Sequence, residues 1–499
     1  GRALALRGLS IMEARSGHIV RRLLADPRLA PTSTSHWPFV RKVLSVVLPS
    51  RVPWRILQAL VNPAAARKRI WRLQGRLAAR GQVPAHASSH ERLTAVERLF
   101  LEHIGPTLLG NMPAIMGAGL GLQVVAAKLL GELATRDEIQ TVLRGLPYNV
   151  TTEMDLELWQ LAQQIRADQT ASQFMQATPL EQQTQAYQMS TLPSTLQQGL
   201  AHFLQVYGHR AVAEIDMGLP RWSEDPTHIL GVLANYLRLE KPELAPDIQF
   251  QRGQREAEAM VVTLTRRMSM QGGWLKSKLV HYCLNQVRAL GGLRELPKFY
   301  LIQIMASARR LLWPVGEELA QAGCLEAAQD IFFINLVEAR AALAGQDFRA
   351  AVRERRRSYE REMGRRHIPP VLLSDGTEPE AEQQALVGVT AGALTGAPAS
   401  AGVVTARARV IMNPVGAHLE PGEILVAPST DPGWTPLFLT ASGLVMEMGG
   451  SMSHGSVVAR EYGIPAVVGV HGATERLATG QRLTVDGSNG VVRIEAEQS

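Results

Sequence analysis

Between residues 91 and 370 apolar side chains recur at three- and four-residue steps, a pattern that predicts a mainly α-helical region. After Leu192, Pro193 suits a first helical turn. Leu196, Leu200, Phe203, Leu204 and Tyr207 then form one apolar face, and Gly208 suits the stop. Ala, Leu and Gln dominate, and β-branched runs are few. Residues 1–90 also contain helical pieces, such as Trp54, Ile56, Leu57, Leu60 and Val61, broken by Pro31, Pro38, Pro49, Pro53 and Pro63. Across 371–390, Asp375, Glu378, Glu380 and Glu382 stand among small polar residues, the composition of an exposed linker. Beyond it the period changes. Thr405, Arg407 and Arg409 alternate with Ala406, Ala408 and Val410, and short apolar runs follow at 424–427, 444–446, 466–468, 483–485 and 491–494. The pattern predicts a multidomain chain: a basic, mainly helical segment 1–90, a helical domain 91–370, a linker 371–390, and an α/β domain 391–499.

Composition narrows the class. Apolar residues make up 46% and charged residues 19%, which excludes global disorder, collagen-like repeats and disulfide scaffolds. The two cysteines, Cys283 and Cys324, have no metal-ligand spacing and read as buried fillers in a reducing compartment, the cytoplasm. The net charge of +7 is unevenly spread: residues 1–80 carry 16 Lys and Arg against Glu13 and Asp26, a local +14. No nucleic-acid recognition motif accompanies that charge, so a basic face resting against an acidic domain or binding a phosphate-rich ligand is favoured over a nucleic-acid surface. The arginines of 353–357 and 361–366 are interleaved with Glu354, Glu360 and Glu362, as on a solvated helix face. The uncharged stretch Ile104–Ala127 holds two prolines and five glycines, which argues against a membrane span. Gly117, Gly119 and Gly121 lack both a leading strand and a following GK[ST]; they predict close-packed helix turns rather than a nucleotide loop.

The chemistry concentrates in Gly449-Gly450-Ser451-Met452-Ser453-His454-Gly455-Ser456-Val457-Val458-Ala459-Arg460-Glu461-Tyr462-Gly463-Ile464-Pro465. The glycines permit a tight turn after a strand ending near Met446, and Ser451 or Ser453 can cap a helix beginning near His454. Val457 and Val458 supply its buried face, and Gly463 with Pro465 stops it. An imidazole at a helix start stands at the positive end of the dipole. That environment favours the neutral, nucleophilic ring and suits a phosphorylated one.

This segment, with Pro428-Ser429-Thr430-Asp431-Pro432-Gly433-Trp434-Thr435-Pro436-Leu437-Phe438 and Val485-Asp486-Gly487, resembles the mobile phosphohistidine domain of the phosphoenolpyruvate-utilising enzymes. That family includes phosphoenolpyruvate synthase, pyruvate phosphate dikinase and rifampicin phosphotransferase. The resemblance implies a swivelling domain in which His454 takes a phosphoryl group from ATP and delivers it to an acceptor. A barrel follows the His domain in the synthase and dikinase, whereas 30 residues follow Gly469 here. A helical region before the His domain is the order of the rifampicin branch. Tyr207-Gly208-His209-Arg210, Glu214-Ile215-Asp216, Pro220-Arg221-Trp222 and Asp330-Ile331-Phe332-Phe333 also resemble its helical domain.

In Leu293-Arg294-Glu295-Leu296-Pro297-Lys298, a planar guanidinium and a point charge can converge on one phosphoryl group. The resemblance implies that Arg294 and Lys298 assist transfer from phospho-His454 to the hydroxyl of a bulky apolar acceptor such as rifampicin. It further implies ATP and Mg2+ at a separate ATP-grasp domain, for which no Gly-rich hairpin with a strand Lys is evident here. That domain is expected upstream or in trans, in keeping with a chain that opens on Gly1. The basic N-terminal segment is its expected docking face. No metal, nucleic-acid or membrane partner is expected of this chain. Two alternatives stay open: a non-catalytic relative that binds hydrophobic ligands or a partner, and a phosphoenolpyruvate synthase-like relay.

Overall fold

Helix formers set at helical steps make helices from Val52 to Met363, and a mixed sheet follows from Ala393 onward. The structure, a computed structural model, describes residues 52–80, 83–84, 86–101, 110–239, 242, 245–365, 373, 376, 393–438, 440–450 and 453–495. Residues 1–51, Ser451 and all of the expected linker but Leu373 and Gly376 lie outside the described residues.

The apolar face predicted after Leu192 forms as the helix Ser194–Tyr207, with Leu196, Leu200, Phe203, Leu204 and Tyr207 all buried. The glycine-rich stretch forms the helix Gly110–Leu130. It packs against the antiparallel pair Pro246–Gly272 and Trp274–Gly291 around Ala126, Leu130, Val261, Leu264, Val280 and Cys283. Cys324 is buried too, so both thiols fill the core as expected. At the centre lies the helix Leu296–Gln321, with Pro297 in its first turn, where a missing N–H costs nothing.

The basic helix Pro63–Arg80 packs on that central helix. The Tyr300 hydroxyl donates to the Ile70 carbonyl at 3.1 Å. Arg67 donates to the Ala289 carbonyl at 3.3 Å and lies 4.1 Å above the Tyr148 ring. Arg67 thus spends its charge inside the helical region. The arginine-rich helix Arg349–Met363 buries only Val352 and is solvated as its pattern predicts. Even so, Arg353 pairs with Glu326 at 2.5 Å, Arg355 with Glu338 at 2.6 Å, and Arg356 with buried Asp330, tying the helix down.

All five apolar runs and the alternating segment predicted beyond 390 are strands. They are β3 (Val403–Val410), β4 (Ile424–Ala427), β5 (Gly443–Met446), β6 (Ala466–Val468), β7 (Arg482–Asp486) and β8 (Val491–Ile494). Two edge strands, β1 (Ala393–Thr395) and β2 (Ala397–Ser400), carry no such signal, because they are three and four residues long and β2 is Ala-Pro-Ala-Ser. The order is β1-β8-β7-β3-β4-β5-β6-β2, with β3 to β6 parallel and the flanking pairs antiparallel. β4, β5 and β6 are buried at every position, as parallel strands covered on both faces must be. One face, with Ile424, Val426, Val445, Val467, Leu483 and Val485, has its own core. The other, with Leu425, Ala427, Leu444, Met446 and Val468, joins the core of the helical region through Val458, Ala459 and Tyr462. That shared apolar layer seats the α/β unit on the helices.

Candidate functional site

His454 is the first residue of the nine-residue helix His454–Tyr462, which leaves β5 through the glycine-rich turn and ends at Gly463 with φ +68°. Ser453, one of the two serines expected to cap, occupies the N-cap position and makes no side-chain cap bond. Its hydroxyl lies 2.9 Å from that of Ser456, which in turn donates to the Gly450 carbonyl, so this pair braces the turn. Gly455 has a steric reason. A Cβ there would stand 2.4 Å from Thr430 Oγ1 and 2.5 Å from Met446 Sδ. The helix start is thereby pressed against β5 and the segment that carries Asp431 and, at the start of the short helix Thr435–Phe438, Thr435.

The imidazole is 8% exposed and held at both nitrogens. Nδ1 lies 3.2 Å from Glu295 Oε2, and Nε2 lies 3.1 Å from Thr435 Oγ1. Burial opposes ionisation of Glu295. The hydrogen bond and charge of His454, with Arg294 and Arg210, outweigh it and hold the carboxyl at about 2. An ionised carboxylate only accepts, so Nδ1 carries the proton, and in the neutral ring Nε2 accepts from the Thr435 hydroxyl. In that tautomer the in-plane lone pair of the ring is on Nε2.

Glu295 belongs to the helical region. It closes the short 3₁₀ turn Gly292–Glu295 between the helices Trp274–Gly291 and Leu296–Gln321. That turn rests directly on the start of the helix Val150–Ala167: a Cβ on Gly292 would meet the Pro147 carbonyl oxygen at 2.2 Å and the Asn149 nitrogen at 2.9 Å. Arg294 lies 3.5 Å from Glu295 Oε1, and Lys298 Nζ lies 3.0 Å from Glu214 Oε1. Glu214 is buried, also pairs with Arg210 at 3.2 Å, and stays ionised because the two cations outweigh its burial. Asp431, from the α/β unit, accepts from the Ala213 nitrogen at 2.6 Å and the Gly433 nitrogen at 2.9 Å. Burial and the nearby Glu214 raise its carboxyl, while Lys298 and His454 act against the rise.

The three residues singled out from sequence thus come to one boundary. Glu295 joins Arg294 to His454, and Asp431 feels the charges of both Lys298 and His454. Among the described residues the partners of both cations are carboxylates, not the imidazole. Glu295, Thr435 and Asp431 stood inside the quoted motifs without a role. A carboxylate set between two cations was the one available signal for Glu295. The same boundary buries two further carboxylates. Glu461 accepts from the Asn149 amide and from Thr152, and Asp155 accepts from Tyr236 and Tyr462. Burial pushes each up to about 7, against those hydrogen bonds.

Among the described residues no group of three or more His, Cys, Asp and Glu is arranged to hold a metal ion, and no helix is long and apolar enough to cross a membrane. An apolar groove of about 380 Å³ lies between Trp54 and Ile70 and is lined by none of the site residues.

Residues 110–295 match the family model described as rifampicin phosphotransferase fourth domain, and residues 419–490 match the mobile domain of PEP-utilising enzymes. The chain is 34% identical over 432 residues to a rifampicin phosphotransferase of Streptomyces sviceus, covering 81% of this chain and 49% of that protein. A rifampicin phosphotransferase of Bacillus subtilis is 32% identical over 380 residues, 76% of this chain and 43% of the relative. The prodigiosin-synthesising transferase PigC of Serratia marcescens is 30% identical over 306 residues, 60% of this chain and 33% of the relative. The chain spans about half the length of the curated rifampicin phosphotransferases it matches. Through its helical and its α/β domain, the chain belongs to the phosphoenolpyruvate-utilising enzymes of the rifampicin phosphotransferase kind.

Proposed function

We propose that this chain is the acceptor-binding and phosphoryl-carrying part of a phosphotransferase. The β-phosphoryl of ATP is taken up by His454 at an ATP-grasp domain that also binds Mg2+, in cis or in trans. It is then delivered to a hydroxyl of a bulky apolar acceptor such as rifampicin. Nε2 is the attacking and carrying nitrogen, held by the Thr435 hydroxyl until phosphorus arrives. Arg294 supplies a planar fork and Lys298 a point charge for the phosphoryl oxygens during transfer. A swivel of the α/β unit carries His454 between the two stations.

The observation that carries this reading is the meeting of His454 with Glu295 at the domain boundary, with Arg294 beside it and Lys298 one helical turn on. The test supplies β-labelled ATP and a cognate ATP-grasp domain, then assays acid-labile label on the chain and stable label on rifampicin. Both are expected in the wild type and neither in H454A. Labelled rifampicin from H454A would sink the proposal.

A further inference from the structure

His454 and Glu295 come from different domains, so their 3.2 Å contact exists only while the α/β unit sits on the helices as described here. We propose that Glu295 primes phospho-His454 for discharge: by accepting from Nδ1–H it keeps the phosphorylated ring protonated, so that the ring departs as neutral imidazole. This rests on the carrier reading above and gives that reading a trigger.

The chemistry follows from the leaving group. A phosphorylated ring with no proton on Nδ1 would have to leave as imidazolate, a poor leaving group. With the proton in place, the Nε2–P bond breaks and its electron pair returns to Nε2. The acceptor oxygen forms the new bond to phosphorus, and the hydroxyl proton is released to water. Nδ1–H stays on the ring throughout, and Glu295 takes up no proton. A carboxylate within hydrogen-bond reach favours the charged ring by about one to three pH units. Glu295 is a fixed acceptor for this purpose, since its own side chain is 11% exposed and braced by Arg294 on the other oxygen. The imidazole separates it from the phosphoryl group on Nε2, so the two negative groups do not compete for one space.

Other charges face the ring. Asp431 is on its own domain, with its oxygens engaged by the Ala213 and Gly433 nitrogens. Lys298 and Glu214 act on Asp431 from the helical region. Arg460, on the helix of His454, feels the charge of Arg294 and donates to the Ser456 carbonyl at 2.9 Å. Of these carboxylates, Glu295 is the one hydrogen-bonded to the imidazole. A consequence is that the phosphoryl group is long-lived while His454 is away from Glu295 and labile once docked, which limits its loss to water in transit.

The test needs no nucleotide domain. The full chain, labelled with 15N-histidine, is charged with phosphoramidate, and ring protonation and phosphoryl loss are followed by 15N and 31P NMR across pH, in the wild type and in E295Q. Protonation of phospho-His454 at Nδ1 is expected to persist to a pH higher by about one unit or more in the wild type. Loss of phosphoryl at pH 8 should be about ten-fold slower in E295Q, converging with the wild type in acid, where the ring protonates unaided. An equal rate change at every pH, with ring protonation unshifted, would reduce Glu295 to a structural role and overturn the proposal. If phosphoramidate fails to charge His454, the carrier reading fails. The Nδ1–H tautomer of the free ring, present in the wild type and depleted in E295Q, then decides separately whether Glu295 sets the ring's state. A tautomer unmoved by E295Q would end the inference as well.

Discussion

The Asn149 amide donates to both carboxylate oxygens of Glu461, at 2.6 and 2.7 Å, across the boundary between the helical region and the α/β unit. Glu461 lies seven residues beyond His454 on the same helix, so what holds Glu461 also sets where the imidazole stands. Burial raises Glu461 to about 7 from an ordinary 4.5, and Asp155, which accepts from Tyr462 beside it, to about 7 from 3.8.

These shifts predict a pH-dependent seat for the α/β unit. Both groups bind a proton more tightly when docked than in water, so their contribution to docking is full below about pH 4 and is lost as pH rises through 7. Spin labels at V403C and M189C, both exposed, report the inter-domain distance, while Cys283 and Cys324 are buried away from reagent. The docked population should fall as pH rises from 4 to 8, and E461Q should flatten part of that fall. A distance that ignores pH in the wild type would refute this.

Lys298 and Glu214 predict opposite balances of stability and transfer. K298M leaves Glu214 its bond to Arg210, so it should cost about 1 kcal/mol in urea unfolding yet slow phosphoryl transfer at least about ten-fold. E214Q strands Arg210, itself 1% exposed, and should cost about 3–5 kcal/mol. Equal losses of stability from the two variants would contradict the pairing.

G455A is expected to destabilise the α/β unit by about 1–3 kcal/mol, because its Cβ would overlap Thr430 and Met446. The displaced helix start should also slow charging of His454. Thermal unfolding together with phosphoramidate labelling reads both effects.

T435V keeps the volume of a buried side chain but removes the hydroxyl that holds Nε2. Ring orientation should loosen and charging slow about ten-fold, with a stability cost of about 1–3 kcal/mol for the Nε2 acceptor left without its donor. Charging at the wild-type rate would show that Thr435 plays no part at the ring.

The helical character of the central region, the helix Ser194–Tyr207, the six main strands and the helix start at His454 could be read from the sequence, because they rest on local periodicity and nearby turn and stop residues. The edge strands β1 and β2 could not, since their partners β8 and β6 lie about 100 and 70 residues away and supply the pairing that their own residues do not encode.

The sequence by itself determined the class of each domain and set a histidine at a helix start, while the family resemblance pointed to the Arg294–Lys298 pair. Those signals are carried by residues close together along the chain. Only the tertiary structure decided what the histidine touches. Glu295 stands 159 residues before His454, and Asn149 stands 312 before Glu461. Their meeting depends on an apolar layer shared between one face of the sheet and the helices, which no local pattern specifies. The tautomer of the ring and the buried carboxylates at the boundary are therefore properties of docking, set by burial and by partners that only packing brings together.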